Sequence, residues 1–120
     1  MRKRLLIVED SDLNSELLVQ IFEGSYDIEL ASDGETAIEI ASMKRPDLIL
    51  MDIGLPGLSG LDAVRAIRAR GVDVPIIAVT SHVMPGDKER ALAAGCNAFI
   101  SKPIDDILLV DVVENLLAQA

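Results

Sequence analysis

Four short apolar runs in this sequence lead into residues able to do chemistry. Leu5-Leu6-Ile7-Val8 is followed by Glu9 and Asp10, and Leu48-Ile49-Leu50-Met51 by Asp52. Ile76-Ile77-Ala78-Val79 is followed by Thr80, Ser81 and His82, and Ala98-Phe99-Ile100 leads past Ser101 to Lys102 and Pro103. If these ends are neighbours in space, three carboxylates, a hydroxyl and an ammonium share a small volume. Three ionised carboxylates held together raise one another's pKa values, and a single Lys offsets only part of the repulsion. A bound cation is the usual remedy, and an all-oxygen donor set favours a hard ion, Mg²⁺ or Mn²⁺. A metal beside a Lys and a hydroxyl is the equipment that stabilises a phosphoryl group in transfer, where catalysis is positioning plus electrostatics. An Asp can itself take the phosphoryl as an acyl phosphate.

Each piece has a plainer reading when taken alone. Glu9-Asp10 reads equally as the solvated end of a strand, with Asp12 as the N-cap of the helix that follows. Asp52 stands in a Gly- and Pro-rich turn, Thr is common in strands, and Lys102-Pro103 is an extended dipeptide before a helix. The weight lies in all four positions falling at the ends of apolar runs.

The elements that must position them alternate along the chain. The apolar runs, with a fifth at Ile28–Ala31, read as strands buried on both faces; this second strand in chain order carries the weakest signal, being short and interrupted by Glu29. Between them lie stretches with helical spacing: Leu13, Leu17, Leu18, Ile21 and Phe22; Ala37, Ile38 and Ala41; Leu61, Val64 and Ile67; Leu109, Val112, Val113 and Leu116. Asp33-Gly34, Pro46-Asp47, Gly71, Pro85-Gly86, Gly95 and Lys102-Pro103 punctuate the boundaries. Alternation of this kind predicts an α/β protein with a parallel sheet and helices on both faces. In such a sheet the functional end lies beyond the carboxyl ends of the strands. The last helical segment is apolar over a wider face than a core stripe requires, which suggests a contact surface for a partner or a second copy.

Composition bounds the rest. At 120 residues, half of them hydrophobic, the chain suits one domain with a real core. A formal charge of −9 argues against binding a nucleic-acid backbone. One cysteine, Cys96, precludes an intrachain disulfide, fits a reducing, cytoplasmic location and reads as a small buried hydrophobe. No run approaches the ~20 apolar residues of a spanning helix, and neither phosphate-binding Gly motif occurs.

The set Val8-Glu9-Asp10, Leu50-Met51-Asp52-Ile53-Gly54-Leu55-Pro56-Gly57-Leu58-Ser59-Gly60, Ala78-Val79-Thr80-Ser81 and Ile100-Ser101-Lys102-Pro103 resembles the receiver domain of two-component response regulators, over essentially the whole chain. Gly86–Arg90 and Gly95-Cys96 are similar to single-domain regulators of the DivK kind; receivers of hybrid histidine kinases look much the same. The resemblance implies a doubly wound, CheY-like fold with strand order 2-1-3-4-5 and five helices, one receiver domain over residues 1–120 and no output domain. It implies Asp52 as phosphoacceptor, Asp10 and Glu9 as Mg²⁺ ligands with Asp52 and the carbonyl of Gly54, Lys102 pairing with a phosphoryl oxygen, and Thr80 moving toward another. It further implies Phe99 as the aromatic switch position, although Phe99 reads equally as core, and a cis peptide bond before Pro103, which only proline makes plausible. Ser81, small, leaves room for the phosphoryl group; His82 reads as a loop histidine near the site that could influence its lifetime. The implied partners are a histidine kinase or phosphotransfer protein and a downstream effector, with the chain a monomer or weak dimer that phosphorylates itself from donors and hydrolyses the product slowly.

Two other classes remain to be weighed. Asp10-Ser11-Asp12 imitates the nucleophile motif of haloacid-dehalogenase-like phosphatases, with Lys102 and Asp105-Asp106 as later motifs, although Leu13-Asn14 continue it poorly. A binding module that keeps the fold without phosphorylation would be expected to lose one of the cluster residues.

Overall fold

The computed structural model describes residues 2–55, 57–80 and 84–119. The chain alternates strand and helix throughout: β1 (Arg4–Val8), α1 (Asp12–Phe22), β2 (Asp27–Ala31), α2 (Gly34–Lys44), β3 (Leu48–Asp52), α3 (Gly60–Ala69), β4 (Ile76–Thr80), α4 (Asp87–Ala94), β5 (Ala98–Ser101) and α5 (Asp106–Gln119). The strands form one parallel sheet in the order β2-β1-β3-β4-β5, the α/β doubly wound arrangement the sequence implies. The order reverses between β1 and β3, so a crevice opens where those strands end, beside Glu9 and Asp52.

The central strands read as apolar runs because both of their faces are covered. Leu6, Val8, Ile49, Met51, Ile76 and Ala78 pack under α2, α3 and α4. Leu5, Ile7, Leu48, Leu50, Ile77 and Val79 pack under α1 and α5. Burying each such Leu, Ile or Val contributes about 1.5–3 kcal/mol, so the two layers together hold the strand ends in register. β2 departs from the expected two-sided burial. It is an edge strand, Leu30 is half exposed, and Glu29 is ion-paired with Lys44 on α2 at 2.6 Å.

The helices show where periodicity over-reads the core. On α1, Leu18 and Phe22 are buried, but Leu13 and Leu17 of the same apolar stripe are exposed. The α1 N-cap is Ser11, whose Oγ accepts from the Asn14 N–H at 3.3 Å; Asp12, the expected cap, occupies the first turn instead. On α5 the core takes Leu109, Val113 and Leu117, while Ile107 and Leu108 face solvent, the surplus apolar surface expected from sequence. Asp105 accepts from the Leu108 N–H at 3.1 Å and so starts that helix, a capping use rather than a catalytic one. Among the described residues no helix is long and apolar enough to cross a membrane.

Candidate functional site

The carboxyl ends of β1, β3 and β4 and the residues after β5 meet at one end of the sheet, the end where the parallel strands terminate. Glu9 follows β1, and its N–H donates to the Ala31 carbonyl of β2 at 3.0 Å. Asp52 is the last residue of β3; the Ile53 N–H beyond it donates to Val79 of β4 at 3.0 Å. Thr80 ends β4, and its carbonyl accepts from the Lys102 N–H at 2.7 Å. The backbone ladder therefore fixes Glu9, Asp52, Thr80 and Lys102 relative to one another, and all but Lys102 are buried.

Side chains complete the cluster. Lys102 Nζ donates to Glu9 Oε1 at 2.7 Å and lies 3.7 Å from Asp52 Oδ2. The Gly54 N–H donates to Asp52 Oδ1 at 2.8 Å, which orients the carboxylate. One oxygen each from Glu9, Asp10 and Asp52 lies within 4.8 Å of the others, with Asp10 exposed at the rim. Burial first, and the Asp52 carboxylate after it, push Glu9 up to about 7, although Lys102 pulls the other way. Glu9 Oε2 is buried with no hydrogen-bond partner among the described residues. A buried, orphaned carboxylate oxygen costs free energy until a proton or a cation takes it.

These residues fit a hard divalent cation. The donors are all oxygens, the charge is in excess of one Lys, and their spread is near the ~4.2 Å across a Mg²⁺ octahedron. Thr80 is buried at the rim of the same cluster. Phe99 is half-buried on β5, opposite Ala78, and packs against the core under α2–α4. The Lys102–Pro103 peptide is cis. Ser81 and His82 lie outside the described residues. Cys96 is buried, and desolvation pushes its thiol up to about 11, as suits a small core residue. Asp12 is exposed on α1 and does not join the converging carboxylates, so the phosphatase-like set built on Asp10 does not assemble.

Sequence reading missed Gly60. A Cβ there would lie 2.4 Å from the Asp52 carbonyl oxygen and 2.5 Å from Ile53 Cα, so only glycine lets α3 start directly against the phosphoacceptor candidate's backbone. The signal available in sequence was Ser59, which caps α3 by accepting from the Asp62 N–H at 3.2 Å.

The likeness to known proteins agrees with this geometry. Residues 5–114 match the response regulator receiver domain family. The chain is 40% identical over 123 residues to the polar-differentiation response regulator DivK of Brucella anthropi, covering all of both chains. Among solved structures, the signal receiver domain of a LuxO repressor protein of Vibrio parahaemolyticus superposes with a TM-score of 0.93 at 30% identity, over 99% of this chain and 92% of that one. The receiver domain of a sensor histidine kinase of Pseudomonas aeruginosa, solved with a magnesium ion coordinated in its active-site cleft, gives 0.89 at 36% identity over 98% of this chain and 99% of that one. With the fold, the strand-end cluster and a full-length match in agreement, this chain belongs to the response regulator receiver family of two-component signalling.

Proposed function

We propose that Asp52 accepts a phosphoryl group from a histidine of a sensor kinase or phosphotransfer protein, and that the resulting acyl phosphate switches the binding of a downstream protein. The observation that carries this is the Asp52 carboxylate at the carboxyl end of the central strand, oriented by Gly54 N–H, with Lys102, Glu9, Asp10 and Thr80 around it. A carboxylate oxygen of Asp52 attacks phosphorus, the phosphorus–nitrogen bond to the donor histidine breaks, and the imidazole leaves. Glu9, Asp10, Asp52 and the Gly54 carbonyl would hold Mg²⁺, or Mn²⁺, which when bound supplies positive charge to the phosphoryl oxygens. Lys102, close to both Glu9 and Asp52, supports one phosphoryl oxygen and the Thr80 hydroxyl another. Movement of Thr80 opens room for Phe99, and the β5 surface carries the change outward. Water later hydrolyses the acyl phosphate, which releases inorganic phosphate and restores the carboxylate. The lone buried thiol and the supply of kinase-derived phosphoryl groups both suit the cytoplasm.

The experiment is direct. Incubated with Mg²⁺ and acetyl phosphate, the protein is expected to gain the mass of one phosphoryl group, and Asp52→Asn none. No gain by the parent, or equal gain by Asp52→Asn, overturns the assignment.

The donor's seat is also proposed. A cavity of about 490 Å³ between α1 and the segment that joins β5 to α5 is lined by Asn14, Leu17, Leu18, Ile21, Pro103 and Ile104, and Lys102 forms part of its wall. A protein seated there therefore has access to the site itself. Leu17 is half exposed, so Leu17→Asp leaves the core intact. We expect it to slow transfer from a phosphorylated phosphotransfer protein at least tenfold and to leave labelling by acetyl phosphate within twofold; equal transfer rates would move the seat elsewhere.

A further inference from the structure

The side of α1 turned toward β2 carries more negative charge than the helix itself can use. Asp12, Glu16 and Glu23 recur there at helical spacing, with Val19 between them. An acidic side chain suits the first turn, where Asp12 sits, but Glu23 stands at the carboxyl end, where the helix dipole opposes it. All three are exposed, and none has an ion pair or hydrogen bond through its carboxylate among the described residues.

They line a groove of about 660 Å³ between α1 and β2. Its floor is Glu9, buried, with Oε2 unpartnered among the described residues. Its far wall is Leu30, half exposed. Among the described residues no Lys or Arg lines it. Carboxylates beside an apolar wall suit a Lys or Arg whose stem lies on Leu30 while its charged head stays among the acids.

The groove runs along an open strand, since β2 ends the sheet. The Asp27 N–H donates to the Lys3 carbonyl and the Ala31 carbonyl accepts from the Glu9 N–H, both at 3.0 Å, so residues 27, 29 and 31 turn their backbone groups toward β1. Alternation leaves the N–H and C=O of Ile28 and Leu30 pointing outward, with no strand beyond them. The charges that commonly blunt an edge are engaged elsewhere: Asp27 pairs with Arg2 at 3.7 Å, and Glu29 with Lys44 on α2. Every open sheet has two edges; the acidic groove gives this one a chemistry.

We propose that this edge receives an extended basic segment of a partner protein, added to the sheet as a sixth strand with Lys or Arg at alternate positions facing α1. The spacing agrees. Two residues of a strand advance about 6.6 Å, and Asp12 and Glu16, about one helical turn apart, are separated by about 6 Å along the axis. The surface lies on the other flank of α1 from the donor's seat, and the inference does not depend on phosphorylation of Asp52.

The test uses the whole chain and a fluorescently labelled hexapeptide, Lys-Val-Lys-Val-Lys-Val, in EDTA so that no divalent cation competes for Glu9. Anisotropy is expected to show it binding at least tenfold more tightly than Lys-Lys-Lys-Val-Val-Val, which has the same charge without the alternation. In the complex the Ile28 and Leu30 amides are expected to exchange with deuterium at least tenfold more slowly, read by NMR. Asp12→Asn combined with Glu16→Gln, both at exposed positions, is expected to weaken binding at least fivefold and to leave the thermal midpoint near the parent's. Overturning results are no binding by the parent, unchanged exchange at Ile28 and Leu30, or a double variant that binds as the parent does. Equal affinity for the two peptides also overturns it, since that is attraction to an acidic protein and nothing more.

Discussion

Gly60→Ala is expected to destabilise the domain by about 3 kcal/mol, the upper end of what overpacking costs. On helix propensity alone the substitution should help, by about 1 kcal/mol. Space decides otherwise. The added Cβ would meet the Asp52 carbonyl oxygen at 2.4 Å and Ile53 Cα at 2.5 Å, both backbone atoms of a segment whose neighbours are buried and paired. Neither atom can rotate away. Either α3 lifts from the sheet or the end of β3 shifts, and the second moves the Asp52 carboxylate relative to Lys102. Urea unfolding should show a lower midpoint at an unchanged slope, and the folded fraction should label with acetyl phosphate at least tenfold more slowly. Gly54→Ala is the control. There the Cβ would lie 3.4 Å from Asp52 Oδ1, an ordinary contact, so stability should stay within about 0.5 kcal/mol. A Gly60→Ala protein as stable as the parent would mean that α3 is not seated on Asp52.

That glycine also marks how far the sequence could be read. β1, β3 and β4 were legible because burial on both faces writes an unbroken apolar run, and each run ends at a residue of the cluster. β2 was the weakest because an edge strand has less to hide, and Glu29 there answers Lys44. The α1 stripe predicted too much. Periodicity reports that Leu13 and Leu17 share a side with Leu18, not that anything covers them. The Lys102–Glu9 pair joins residues 93 apart in sequence, so it could be inferred only through the strand order. Arg68, whose guanidinium donates to the carbonyls of Val72, Val74 and Gly95, left no trace at all. In Arg65-Ala66-Ile67-Arg68-Ala69-Arg70 nothing local separates it from its neighbours, because its acceptors are mostly backbone carbonyls, which every sequence supplies.

The cluster's excess negative charge gives a second large effect, in acidity. Without divalent cation, stability is expected to fall as pH rises from about 4.5 to about 7. In the unfolded chain Glu9 titrates at the ordinary 4.5; in the folded protein burial and Asp52 hold it near 7. Between those values the native state binds more protons than the unfolded one, so the slope of stability against pH is negative. At about 1.4 kcal/mol per pKa unit the window from 4.5 to about 7 is worth at most about 3.5 kcal/mol. The Glu9 side chain is almost wholly buried, so solvent screening removes little of this. Other carboxylates titrate over the same range, and the difference between the parent and Glu9→Gln isolates this one: in EDTA the thermal midpoint of the parent should decline relative to the Gln variant between pH 4.5 and 7. Saturating MgCl₂ should erase the decline near pH 7, since the cation requires the deprotonated carboxylate, and its affinity should rise with pH as a proton is released. Parallel curves for the two proteins in EDTA would show that Glu9 ionises normally, and that its orphaned Oε2 is satisfied by solvent rather than awaiting a cation.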